Sequence, residues 1–89
     1  MKYPLFNLGR TVITPGAQAA LKENDIIEAM RRYIAGDWGD LCSTDRKTND
    51  EALVFGNRIL AAYKSGQTKF WIITEWDRSI TTILLPEEY

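Results

Sequence analysis

Along the chain the spacing of apolar residues changes once, near residue 56, from a helical period to a period of two. Before that point, residues 10–14 (Arg-Thr-Val-Ile-Thr) are largely β-branched and predict a short first strand. Thr14 can then cap a helix that opens at Pro15, where proline's missing N–H costs nothing. Ala17, Ala20 and Leu21 form its expected buried stripe, and Asn24 ends it. Asp25 caps a second helix, in which Ile26, Met30, Tyr33 and Ile34 recur at the spacing of one apolar face. Gly36 sits where a left-handed residue closes a helix. A third helix, capped by Ser43 or Thr44, runs through Asp45, Thr48, Ala52 and Phe55 to Gly56-Asn57. Its period is weak enough to fit two short turns as well.

From Arg58 onward the pattern alternates. Residues 58–64, 68–75 and 80–85 read as three strands joined by Ser65-Gly66-Gln67 and Trp76-Asp77-Arg78-Ser79. The middle segment is apolar on both faces, which suits a central strand. Pro86 stops the last one. Helices segregated to one face of an antiparallel sheet would cover this meander, so the expected fold is α+β in the order β-α-α-(α)-β-β-β. At 89 residues the chain predicts one domain, with the first strand joining an edge of the meander.

Composition sharpens the picture by exclusion. Lys and Arg number 11 against 12 Asp and Glu, so nucleic-acid binding through a bulk basic excess is not expected. A basic patch on one face stays open. A single cysteine, Cys42, precludes an intrachain disulfide and points to a reducing compartment. No apolar run reaches the roughly eighteen residues of a membrane span, and Met1-Lys2-Tyr3-Pro4 does not open a signal peptide, so a cytoplasmic protein is expected.

Histidine is absent, which removes Ser–His and Cys–His nucleophile pairs and the usual zinc sites. No phosphate-binding glycine loop is present. Asp37, Asp40, Asp45 and Asp50 lack the ligand spacing of a calcium loop and fit turn and cap roles better. Neither a cofactor nor a metal is therefore expected. Trp38, bracketed by Gly36 and Gly39, is either a lid on the core or a ring on which a partner stacks. Arg78 either pairs locally with Asp77 or Glu75 or offers its planar fork to a partner's phosphate or carboxylate. Trp38 and Asp37, with Trp76, Asp77 and Arg78, are the candidate binding residues, because tryptophan and arginine dominate binding hot spots.

Several blocks resemble one family: Gly36-Asp37-Trp38-Gly39-Asp40, Asn49-Asp50, Trp71-Ile72-Ile73-Thr74-Glu75, Asp77-Arg78-Ser79, and the run from Thr81 to Tyr89. The family comprises small bacterial "plasmid-related" proteins from plasmids, integrated elements and chromosomes, with no established activity, cofactor or catalytic residue. Where that pattern commonly has a small residue after Thr-Glu, this chain has Trp76. The resemblance implies a mobile-element setting, in which proteins that bind partners or modulate the host are common.

Two functions compete. The first is a non-enzymatic domain acting through a protein partner or as a homo-oligomer. The second is a histidine-free, toxin-type ribonuclease using Arg58, Tyr63, Lys69 and Arg78 on the sheet, an analogy at the level of fold alone.

Overall fold

The computed structural model describes residues 4–89 and follows the expected order of elements. Strand β1 spans Arg10–Ile13, helices α1, α2 and α3 span Pro15–Ala20, Glu23–Ile34 and Ser43–Phe55, and strands β2, β3 and β4 span Ile59–Ser65, Thr68–Thr74 and Ile80–Leu84. A 3-10 turn over Pro86–Glu88 closes the chain. The fold is α+β, with β2, β3 and β4 forming the antiparallel meander. β1 joins its β4 edge in parallel, so the four-stranded sheet is mixed and ordered β1-β4-β3-β2.

Thr14 caps α1 as its hydroxyl predicts, accepting the Ala17 N–H at 3.2 Å. The boundary that follows differs from the sequence reading. α1 ends at Ala20, which is exposed rather than part of the buried stripe, and α2 starts at Glu23 instead of after Asp25. The reason is a tertiary cap. Ser65 Oγ, at the far end of β2, accepts the Lys22 N–H (3.0 Å) and donates to the Asp25 carboxylate (2.6 Å). Asp25 thus anchors the helix from inside its first turn. α3 is one continuous helix ended by Gly56 at φ 75°, but Phe55 is exposed and off the buried stripe.

Sheet alternation sorts the side chains. Ile59, Ala61, Tyr63, Phe70, Ile72 and Ile83 point toward the helices and join Tyr33, Ala29 and Ala52 in the core. A polar chain runs through this apolar layer. Tyr33 Oη lies 2.7 Å from Thr74 Oγ1, which lies 2.8 Å from Thr81 Oγ1, which donates to the Leu8 carbonyl at 2.7 Å. A carbonyl only accepts, so Thr81 spends its proton there and must accept from Thr74, which in turn accepts from Tyr33. The chain has one direction, and burial holds the Tyr33 hydroxyl well above its ordinary pKa.

On the opposite face Ile73 and Leu84 are buried beside a half-buried Trp71. Tyr89 crosses this face: its ring meets Trp71 edge-on at 5.6 Å and its hydroxyl accepts from Arg58 Nη1 at 2.6 Å. Among the described residues no helix is long and apolar enough to cross a membrane.

Candidate functional site

Trp38 is the lid and not the stacking ring. Only 2% exposed, it packs against Tyr33 and Phe6, and its indole N–H donates to Asp50 at 2.8 Å. No free face is left for a partner. The glycine after it serves the protein's own sheet. Gly39 sits at φ 77°, and a Cβ there would fall 2.0 Å from the Ala62 carbonyl. That close approach lets Trp38 O accept from Ala62 N–H and Asp40 N–H donate to Ala62 O, so the loop lies along the outer edge of β2. Asn49 from α3 completes the seal, its amide donating to Leu60 O (2.8 Å) and accepting from Leu60 N–H (3.3 Å).

Asp37 is equally committed. Arg32 grips it through Nε (2.8 Å) and Nη2 (3.2 Å), and the Gly39 N–H adds a third donor. The Arg32 guanidinium and these bonds hold the carboxyl below the usual carboxylate range. Arg32 also lies over the Tyr63 ring at 5.2 Å, while the Tyr63 hydroxyl donates to Asp37 O at 2.7 Å.

The β3–β4 turn has a different character. Arg78 adopts φ 60° and turns its guanidinium inward, donating to Ala52 O (3.0 Å), Asn57 O (2.7 Å) and Glu75 O (3.1 Å). Ala52 O already accepts the Gly56 N–H and Glu75 O the Arg78 N–H, so the guanidinium adds a second donor to each and ties Asn57 O, just past α3, to the turn. It also lies 5.8 Å from the Phe6 ring. Phe6 therefore links Arg78 to Trp38, so the two regions singled out from sequence meet through one core ring. Asp77 accepts from the Ser79 N–H and hydroxyl, which hold its carboxyl below the usual range. Of the candidate residues Trp76 is the apolar one left exposed, at 67%, beside the exposed but internally bonded Asp77.

Arg78→Ala is expected to cost about 1–3 kcal/mol, since it removes the charge-assisted hydrogen bonds that tie the turn to the end of α3, while the Cβ stays in a left-handed backbone as before. Arg78→Gly should recover part of that loss by relieving the backbone. Urea denaturation of the two variants separates the contributions.

Clamping this turn to α3 gathers residues that the helical pattern had hidden. Val54 and Phe55, in the last turn of α3, are 76% and 73% exposed. Arg58 pairs with Glu75 (3.5 Å) and holds Tyr89, itself largely exposed, at the same end of the sheet. Val54, Phe55, Trp76 and Tyr89 thus share one end of the domain. The signal in the sequence was Val54-Phe55 immediately before the helix-ending Gly56.

The residues proposed for phosphate cleavage do not assemble. Tyr63 and Arg78 lie on the helix side, whereas Arg58 and Lys69 belong to the opposite face. Lys69 pairs with Lys64, six residues along β2 from Arg58, or roughly 20 Å at strand rise. Burial also pushes the Tyr63 hydroxyl far above its ordinary pKa. Among the described residues no three carboxylates or thiols are grouped to hold a metal ion. The groove between α3 and β2, lined by Leu41, Asn49, Arg58 and Leu60, measures about 230 Å³, and an open, polar hollow of about 430 Å³ lies beside Arg32, Gly39 and Tyr63.

Compared with protein-family models, curated proteins and solved structures, the chain finds no match.

Proposed function

We propose that the domain is a non-enzymatic binding module, encoded on a mobile element and modulating a host process, that docks a protein partner through the end bearing Val54, Phe55 and Trp76. One observation carries this reading. Large apolar side chains, each at least two-thirds exposed, stand at that end, where Arg78 bonds the backbone of Ala52 and Asn57 and Arg58 pairs with the Glu75 side chain. Rigidly mounted exposed aromatics lose little entropy on binding, and such patches mark interaction sites. The resemblance to the plasmid-related family supplies the setting.

The test is site-specific photocrosslinking in cells, with a benzophenone side chain at position 55 or 76 and controls at Gln67 and Ala19, both exposed. One discrete protein adduct is expected from 55 and 76 alone. With that partner in hand, Phe55→Ser and Trp76→Ser should each weaken binding by about 2 kcal/mol or more, with an unchanged unfolding midpoint because both rings already face solvent. Adducts only from the controls would move the site elsewhere.

A further inference from the structure

The sheet has two edges, and the chain treats them differently. Along β2, the groups of Leu60 and Ala62 that face outward are taken by Asn49 and by the Trp38–Asp40 loop. Along β1 nothing similar happens. Arg10 N–H donates to Ser79 O and Thr14 N–H to Ile83 O, so Arg10, Val12 and Thr14 bond inward to β4. In a parallel ladder the alternate residues then face away, which turns the N–H and C=O of Thr11 and Ile13 to the outer edge. The neighbouring segments run inboard: Leu8 O is held by Thr81, and α1 packs on β4. Among the described residues this edge has no cover, no proline and no bulge, three of the devices that blunt an edge strand, and its four residues set the ladder to a short one.

We infer that two copies of this chain pair through their β1 edges, antiparallel and centred on Val12, to form one continuous sheet. The register follows from the hydrogen-bond phase. Full use of the outward groups requires Thr11 to exchange both bonds with the partner's Ile13, and Ile13 with the partner's Thr11. Val12 then faces the partner's Val12 across the two-fold axis. Charge selects the same arrangement. Arg10 does not meet its own copy but stands opposite the partner's Thr14, whose hydroxyl donates to Glu88 within the same chain. Each Arg10 is thereby brought to the partner's Glu88, placing an opposite-charge pair on either side of the valines. On the helix face, the groove lined by Ile13, Leu21 and Ile26, about 360 Å³, adjoins this seam and is narrowed by the incoming strand.

The full chain is tested by sedimentation equilibrium, with Thr11→Pro as the disrupting variant. Proline at position 11 removes an outward N–H and no intrachain bond, so the monomer fold is kept and dimer dissociation should strengthen at least about tenfold. Circular dichroism checks the fold. Disulfide trapping reads the register in a Cys42→Ser background, which removes the exposed native thiol. Val12→Cys is expected to crosslink on mild oxidation, and Thr11→Cys and Ile13→Cys are not, because those positions face each other and not themselves. Arg10→Glu should weaken the dimer and make the loss sensitive to salt. A monomer at all concentrations up to millimolar overturns the proposal, as does a dimer indifferent to Thr11→Pro or one trapped through position 13. None of these results bears on the Trp76 surface, which lies on other elements.

Discussion

Replacing Trp38 with alanine is expected to cost about 3–5 kcal/mol, the range for deleting a buried aromatic ring. An 89-residue domain has roughly 4–13 kcal/mol in total, so the variant should be largely unfolded or close to it. The loss has three parts. The ring leaves a cavity against Tyr33 and Phe6, Asp50 loses its indole donor, and the loop that seals β2 loses its anchor. Trp38→Phe separates them, since it keeps most of the packing and gives Asp50, which is exposed, back to water. It should cost only about 1 kcal/mol. Urea denaturation followed by circular dichroism measures both. Equal midpoints for the alanine variant and the parent would mean that the ring does not belong to the core.

The buried chain Tyr33–Thr74–Thr81–Leu8 predicts a second large effect, and an asymmetric one. Thr81→Val preserves shape but orphans the Leu8 carbonyl and strands the Thr74 proton, two groups at about 1–3 kcal/mol each, so about 2–6 kcal/mol is expected. Tyr33→Phe removes the first donor and leaves every later proton with its acceptor. Its cost should be about 1 kcal/mol. Matched denaturation curves check the asymmetry, and a tyrosine variant as costly as Thr81→Val would count against it.

The elements legible in the sequence were those whose signals are local. Alternation from residue 58 located the meander, and Thr14-Pro15 located the start of α1, because period and hydroxyl capping act over a few residues. Features that depend on distant partners were not legible. The cap between α1 and α2 comes from Ser65, more than forty residues away, so the nearer Asp25 drew the boundary to itself. The weak period of α3 left the burial of Phe55 undefined, and the structure exposes it in the helix's last turn. Trp38 and Arg78 each read either as a structural residue or as one offered to a partner, and both turn inward onto Phe6. Loop composition alone does not separate a hot spot from a plug, since both use large side chains at positions that glycine or a left-handed turn makes reachable. Trp76, in the same turn as Arg78, is the one that stays exposed.

The three tryptophans also divide the molecule into zones that light can tell apart. Trp38 is enclosed, Trp71 is half-covered by the Tyr89 ring, and Trp76 faces water. Their emission should therefore span blue-shifted to red-shifted, and a soluble quencher such as iodide should reach Trp76 first, Trp71 next and Trp38 last. Single-tryptophan versions would give a dye-free reporter for each event: occupancy of the exposed end, lifting of the C-terminal turn, and melting of the interior.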